Sequence, residues 1–430
     1  MRSTREAGTS WVARFGVLRN ANVRRYFVGY AASNFGTAMA SVALAFAVLD
    51  SGGNATDLGL VFAAGIIVQV VLMIGGGVLA DRLGRRRVML GADVLRTASQ
   101  GLLAVLLFAG PLPIWVFIVL VAARSTGDAL FEPAFNGLVV DIAPRDEIAD
   151  ANALFGITQS AARVAGPGVA GVLVAVGNPA TAIALDAISF AISAAALSGL
   201  ALPAHAAGAQ SSFLTDLSEG WDTFRSRTWL WTITIQFALF NLITWGPFLL
   251  LGPVLAKADL NGARSWGAIL AAYALGSVIG GFTALGKRPR RPLLIATIGT
   301  FGYPIPLTLL ALHASTIEIA AGTLLAGIGS ATCNIFFNAT IQRQVPVEMQ
   351  ARVAAFDTVG AFSAGPIGLA AAGPISELIG AHTVLAFGAA WSLASSLLVL
   401  SLPTVRKIRW TTSDQESAND TERSHRLTRA

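Results

Sequence analysis

The chain has one cysteine in 430 residues, Cys333, and it lies inside an apolar run. No intrachain disulfide and no cysteine-built metal site can form. Histidine is nearly as scarce: His205, His313, His382 and His425 are scattered over helix ends and loops, without the spacing of a metal site. Charge is thin as well. Asp, Glu, Lys and Arg make up 13% of the residues, where a soluble globular chain carries about a quarter. The phosphate-cradling pattern G-x-x-x-x-G-K-[ST] does not occur, so ATP is not expected to drive this protein. No nucleophile motif stands out, no cofactor is implied, and an enzyme is not expected. A pI near 10.1 would suggest nucleic acid for a soluble chain, but here the basic residues fall in loops between apolar runs.

What fills the chain instead is long apolar sequence: 54% of residues are hydrophobic and the mean hydropathy is +0.65. About 20 apolar residues cross the ~30 Å of bilayer hydrocarbon. The runs predict spans at 26–49, 58–80, 88–109, 114–140, 151–176, 180–202, 229–250, 265–285, 293–312, 317–341, 353–376 and 382–402. The expected fold class is an all-α polytopic membrane protein. Five regions follow: a basic N-terminal segment 1–25, a six-helix bundle 26–202, a polar linker 203–228, a second six-helix bundle 229–402, and a polar tail 403–430, expected to be disordered.

Residues 1–25 have no short apolar core ahead of a small-residue cleavage site, so no cleaved signal peptide is expected. Trp11, Phe15 and Leu18 suit either one face of a surface helix or a solvated basic leader. In the linker, Leu214, Leu217, Trp221 and Phe224 recur at helical spacing with Asp216, Glu219, Asp222 and Arg225 between them. That pattern predicts an amphipathic helix on the inner membrane surface. A loop of about a dozen residues is expected between the seventh and eighth spans, and a kink at Gly246-Pro247.

Charge fixes the expected topology. With both termini cytoplasmic, inner segments hold 25 of the 30 Lys and Arg, and outer loops hold two, Lys257 and Arg264. The other three, Arg96, Arg124 and Arg163, lie within spans. Such a split predicts a multi-pass protein of the cell membrane with both ends inside.

The two halves match in order. Gly77 and its basic stretch correspond to Gly281 and Lys287–Arg291 at an offset of 204. Pro144 corresponds to Pro346 at 202, and Gly166-Pro167 to Gly365-Pro366 at 199. A duplicated six-helix unit places a substrate site between the halves, near the bilayer midplane. The second copy has Leu285 where the first has Asp81, so a charged interlock is expected in the first half only.

The stretch from Gly77 to Leu90 reads GVLADRLGRRRVML and predicts a short basic loop between two spans. Its residues Gly77, Leu79, Ala80, Asp81, Arg82, Gly84, Arg85 and Arg86 match G-x-L-A-D-[RK]-x-G-[RK]-[RK]-x. That pattern closely resembles the loop signature of the major facilitator superfamily, and within it the chain is most similar to the multidrug, macrolide and siderophore (enterobactin-type) exporters. The resemblance covers about residues 20–405. It implies the major facilitator fold, with twelve helices in two six-helix bundles, and alternating access. It also implies export of an amphiphilic small molecule against protons by a monomer that takes no cofactor. In the family this loop locks the halves in the outward-facing state. That role falls here to Gly77, Asp81, Arg82, Gly84, Arg85 and Arg86, with Asp81 at the positive end of the eleventh helix and Asp357 nearby. Gly166, Pro167 and Gly171 resemble the G-P-x-x-G-G motif of drug/proton antiporters, with Ala170 in place of the first glycine of the final pair. Pro167 also removes a backbone hydrogen bond and kinks its helix. Arg124 resembles the fourth-helix arginine of the proton-translocation motif, one residue tighter to Gly127.

Arg124, Asp128 and Glu132 are four apart and line one helix face. Glu132 lies ~13 Å and Asp128 ~20 Å from the inner helix end at Asp141. Charges that deep are costly unless they face a wet cavity or pair. Two readings stand for Asp128 and Glu132, with Arg124 and Arg163 beside them: a proton switch, or a permanent ion-pair network. Asp93 with Arg96 reads as a structural pair rather than a switch, and Asp186 as a polar contact ahead of an outer gate. Asn34, Gln69, Phe131, Phe135, Gln159, Trp245, Asn334 and Asn338 are the candidate cavity liners, a set better suited to an amphiphilic molecule than to a sugar. Uptake or flipping of a metabolite or lipid is the alternative function. A non-transporting membrane sensor or scaffold is the second alternative, against which the buried acids argue.

Overall fold

The computed structural model describes residues 15–144, 147–200 and 221–410, without the side chains at 73–82, 136–137, 140, 347–348 and 351. Among these residues twelve helices are long and apolar enough to cross a membrane. The first half holds α1 (Ala21–Asp50), α2 (Ala55–Leu83), α3 (Arg85–Ala109), α4 (Ile114–Ile142), α5 (Ile148–Val176) and α6 (Pro179–Ser198). The second holds α7 (Thr228–Asp259), α8 (Gly262–Ala284), α9 (Pro292–Ala311), α10 (Thr316–Gln344), α11 (Val347–Phe362 and Gly365–Ile379) and α12 (Ala381–Ser401). An even number of spans puts Ala21 and Ser401 on one face, called terminal here; the opposite face is distal.

The duplication read from sequence is present in the packing. In the first half α1 packs on α5 and α6, α2 on α4, and α3 on α4 and α6. The second half repeats this as α7 on α11 and α12, α8 on α10, and α9 on α10 and α12. The halves meet through α5 against α8 and α2 against α11, a pair related by the same repeat.

The apolar core shows where the halves are joined. One cluster on the distal side draws buried residues from all twelve helices, among them Phe46, Leu58, Phe117, Ile183, Phe248, Trp266, Leu369 and Leu385. On the terminal side the cores are separate. One lies within the first half around Tyr26, Met89, Leu138 and Phe155, and others lie within the second half around Leu230, Phe337 and Phe336. The molecule is therefore packed shut distally and split terminally.

Small residues make the distal seam. A Cβ on Gly171 of α5 would stand 2.5 Å from the Ala263 carbonyl oxygen of α8, and one on Gly267 would stand 2.3 Å from that of Pro167. Helices in lipid associate by such close van der Waals packing, because lipid tails are as apolar as the helix faces. Three polar contacts also cross the seam among the described residues, one of them from Lys257 Nζ to the Leu49 carbonyl at 2.8 Å. Lys257 Nζ lies 2.6 Å from Asp50 Oδ1, and Thr56 Oγ1 donates to Glu377 Oε1 at 2.8 Å.

Two expectations are corrected, and two spans carry a local irregularity. The stretch from Gly77 to Leu90 is not a loop: α2 runs to Leu83, Gly84 alone turns the chain at φ +88, and α3 starts at Arg85. Only glycine takes that backbone without strain. The dozen-residue loop after the seventh span is two residues, since α7 continues to Asp259 and α8 begins at Gly262. Gly246-Pro247 follows a π turn at Asn241–Trp245, in which Gly246 N–H bonds back to the Asn241 carbonyl. The following proline has no N–H, so a carbonyl of the preceding turn loses its partner and the ladder widens. The eleventh span, read as 353–376, has its helix interrupted at Ser363-Ala364, just before Gly365-Pro366. Of the linker's amphipathic pattern, Leu214 and Leu217 lie outside the described residues, while Trp221 and Phe224 sit on a helical turn against Phe356 of α11.

Gly171→Val is expected to lower stability by about 1–3 kcal/mol through overpacking at the seam. Gly168→Ala, whose Cβ meets nothing nearer than 3.8 Å, should leave it unchanged. Thermal unfolding in detergent compares them; equal unfolding temperatures would remove close packing at Gly171 from the account.

Candidate functional site

Three helices of the first half bring their charges together at mid-depth. Asp93, Arg96 and Gln100 follow one another at i, i+3 and i+7 on α3, and so share a face. Arg124 and Asp128 are one turn apart on α4, and Asp186 comes from α6. Arg96 donates from Nη2 to Asp93 Oδ1 at 2.6 Å and from Nη1 to Asp128 Oδ1 at 3.2 Å. Arg124 Nη1 lies 3.6 Å from Asp128 Oδ2, and its Nε lies 3.7 Å from Asp186 Oδ2. Gln100 Nε2 donates to that same Asp186 oxygen at 2.6 Å. Asp128 is thus shared by two guanidiniums, and the chain of contacts runs Asp93, Arg96, Asp128, Arg124, Asp186. Gly127 leaves room for it, since a Cβ there would stand 2.5 Å from Arg96 Cγ.

The network is graded in burial. The Asp93 and Asp186 side chains are 0% exposed, while Asp128 is 22% exposed and reaches water. Arg96 is held further by aromatic faces: its guanidinium carbon lies 4.1 Å from the Phe131 ring centre and 4.4 Å from that of Phe190. Cation–π contact of this kind is strongest where water is excluded.

Asp128 opens onto a cavity of about 570 Å³. The cavity is walled by Tyr30, Asn34 and Thr37 of α1, Gln69 of α2, Arg96 of α3, Arg124, Asp128, Phe131, Glu132 and Phe135 of α4, and Asn152, Phe155, Gly156 and Gln159 of α5. Tyr30 stacks on Phe135 with ring centres 4.5 Å apart, and Phe155 meets both edge-on. One wall is therefore aromatic and the other amide and charged. Asn152 and Gly156, in the first turns of α5 at the terminal face, are exposed, and there the cavity opens.

The structure gathers five of the eight candidate liners, Asn34, Gln69, Phe131, Phe135 and Gln159, around this one cavity. The other three do not line it. Trp245 packs on Phe248 and Tyr273 in an aromatic cluster of the second half. Asn338 donates to the Asn334 carbonyl at 2.9 Å and to its Oδ1 at 2.8 Å along α10. Glu132 lines the cavity without an ion pair among the described residues, and Arg163, one turn beyond Gln159, is exposed and outside the network. Asp186, expected as a simple polar contact, is instead a member of the network. The expectation missed it because only the fold brings α6 against α3 and within side-chain reach of Arg124.

Of the proposed interlock residues, Arg85 Nη1 pairs with Asp141 Oδ2 at 2.9 Å. Arg86 Nε donates to the Leu197 carbonyl at 2.9 Å and Nη2 to that of Ser198, so it caps the C-terminus of α6. Cations there answer the helix dipole. Gly77 lies within α2, and the side chains of Asp81 and Arg82 lie outside the described residues. Gly166 and Pro167 are buried within α5, and Gly171 faces α8.

Residues 26–369 match the family model of the Major Facilitator Superfamily. The chain belongs to the major facilitator superfamily. It is a multi-pass membrane transporter of the secondary type rather than an enzyme. Among similar major facilitator chains is macrolide efflux protein A of Streptococcus pyogenes, 24% identical over 396 residues, covering 89% of this chain and 95% of that one. Another is the multidrug efflux pump Tap of Mycolicibacterium fortuitum, 24% identical over 387 residues, covering 87% and 93%. The fold is also that of the nucleoside transporter NupG, with a TM-score of 0.71 at 12% identity over 89% of this chain and 99% of that one. A bacterial homologue of the lysosomal transporter Spinster, solved inward-facing and unoccupied, gives 0.65 at 13% identity over 91% and 98%.

Asp186→Ala is expected to cost about 3 kcal/mol, because Arg124 and Gln100 lose a fully buried partner. A double-mutant cycle with Arg124→Ala should recover part of that loss. Denaturant unfolding reads the cycle, and strict additivity would mean that the pair carries no coupling.

Proposed function

We propose that this transporter exports an amphiphilic small molecule, of drug, macrolide or siderophore type, in exchange for protons. The observation that carries the reading is the pairing of one aromatic, amide-lined cavity with carboxylates that open into it. The similar chains are macrolide and multidrug efflux proteins, which favours export over uptake or flipping. An aromatic wall from Tyr30, Phe131, Phe135 and Phe155 receives the apolar part of a ligand. Asn34, Gln69 and Gln159 meet its few polar groups.

The 25-to-2 division of basic residues supports a cytoplasmic terminal face, in the cell membrane, with both chain ends inside. The structure is then the inward-open state: seam closed outside, cavity open to the cytoplasm. Transport follows when the halves rock about the cavity and the seam opens instead.

Charge counting supplies the coupling. Among the described residues the cations paired with Asp93, Asp128 and Asp186 are Arg96 and Arg124. Three carboxylates against two guanidiniums leave one negative charge, which one proton cancels. Asp128 is the exposed member and Glu132 stands one turn away in the cavity wall, so these two acids are the exchange point. A shift of α4 against α3 or α6 changes which arginine holds Asp128, and with it the ease of protonation. The carboxylate releases its proton inward and takes the next from outside. Asp81, Arg82, Gly84, Arg85 and Arg86, following Gly77, close the cytoplasmic side in the outward-open state. Arg85 and Arg86 keep their present partners until then.

Asp128→Asn and Glu132→Gln are each expected to cut gradient-driven transport at least tenfold while leaving the protein folded. Inside-out vesicles with an imposed proton gradient, offered lipophilic drugs and siderophores, report this as substrate-dependent change in lumenal pH. Wild-type turnover in both variants would assign the acids to a permanent ion-pair network. In the same vesicles Asp81→Asn should slow the cycle and spare substrate binding, and an unchanged rate would reject the interlock.

A further inference from the structure

The distal end of the second half holds a side-chain cluster that takes no part in the cavity. Asp259 closes α7, His313 sits in the turn between α9 and α10, and His382 opens α12. No sequence spacing connects them, which is why the histidines read as scattered. His382 Nε2 lies 3.1 Å from Asp259 Oδ2. The His313 and His382 rings stack with centres 3.9 Å apart and planes inclined by 23°. One ligand atom from each of the three residues lies within 4.8 Å of the other two. His313 reaches this place on a left-handed backbone, φ 56, unmatched by any other non-glycine residue among those described. That conformation is uncommon for a residue with a Cβ.

We propose that Asp259, His313 and His382 form a binding site for a borderline divalent transition ion, of which Zn²⁺ is the best fit. Two imidazoles and one carboxylate are the donor set of open zinc sites, which leave a further position to water. Calcium and magnesium prefer shells of oxygen alone. Ligand atoms about 2.1 Å from a tetrahedral zinc stand roughly 3.4 Å apart. The Asp259–His382 pair is already at that spacing, and rotation of the exposed His313 side chain closes the remainder. Asp259 and His313 are exposed and His382 is half-buried, so an ion reaches the site from solvent.

The ion ties together the ends of three elements of the second half. It does so two residues from Lys257, whose ammonium also accounts for the contact with Asp50 of the first half. The site is independent of the transported molecule and of the direction of transport.

The test uses full-length protein in nanodiscs, freed of any oligohistidine tag and stripped with chelator. Calorimetric titration with Zn²⁺ should show one equivalent bound to the wild type. Affinity should fall at least tenfold in His382→Ala and in His313→Asn, the latter chosen because asparagine accepts the left-handed backbone. Thermal unfolding without metal checks that both variants are folded. Cu²⁺ bound at one equivalent should show hyperfine coupling to two imidazole nitrogens by electron paramagnetic resonance, reduced to at most one in each variant. No stoichiometric Zn²⁺ binding by the wild type, or wild-type affinity and two-nitrogen coupling retained in the folded variants, overturns the site.

Discussion

Asp128 lies between two arginines that belong to different helices, and the rest of the first half is arranged around that sharing. A carboxylate at this depth cannot stand alone in a low-dielectric interior. Arg96 approaches it from α3, Arg124 from its own helix, and each arginine is tied outward to a further acid, Asp93 or Asp186. Removing any member leaves its neighbour uncompensated. The network therefore fixes α3, α4 and α6 relative to one another, yet its central acid stays open to water on the cavity side. A single arrangement supplies both rigidity and a place where a proton can be exchanged.

The two halves use the same architecture for different chemistry. At the corresponding depth the second half has no acid–arginine chain among its described residues. It has an aromatic cluster, in which Phe240 meets Tyr303 at 4.4 Å and Trp245 meets Tyr273 at 4.9 Å. The π turn at Asn241–Trp245 carries Trp245 into this cluster, and Asn241 secures the turn by donating to the Ala361 carbonyl of α11 at 3.0 Å. Among the described residues the mid-depth ion pairs are thus confined to the first bundle, while aromatic surface occurs in both. Such a division suits a ligand that needs few directional bonds, because only one wall has to be matched in polarity.

Much of this was legible from residues. Twelve spans follow from run length, because a bilayer imposes a minimum of apolar sequence that loops cannot imitate. The repeat was visible through Gly77, Pro144 and Gly166 and their partners, and the packing pairs confirm it. Arg124 and Asp128 were legible as a pair because helical spacing alone brings them together. Asp186 and Gln100 were not, since only the packing of α6 on α3, with Arg124 reaching across from α4, joins them. The same limit hid His313 and His382, whose meeting depends on where two helix ends stop. Gly84 misled in another way: polar, basic residues around a glycine look like a loop, but one residue at positive φ suffices to reverse a helix. The second-half candidates Trp245, Asn334 and Asn338 fall outside this cavity, because composition cannot say which residues the fold gathers around one space.

The distal seam explains how such a structure can be closed and still reversible. Its close approaches are between backbone and small side chains, as at Gly171 and Gly267, and the backbone that meets there is helical on both sides. Parting them uncovers no unpaired donor or acceptor, and lipid or water replaces the lost dispersion contacts. The polar contacts that must break lie at the rim. Lys257 and Asp50 are 42% and 47% exposed, so water re-solvates both as they separate. An exposed pair of this type contributes about 0–1 kcal/mol. The buried ion-pair chain, by contrast, lies wholly within one half and is carried along as a unit when the halves move. Opening the seam thus breaks contacts that water can replace and leaves intact those it cannot. Only α4, which bears Asp128 at the boundary between them, has to register the change.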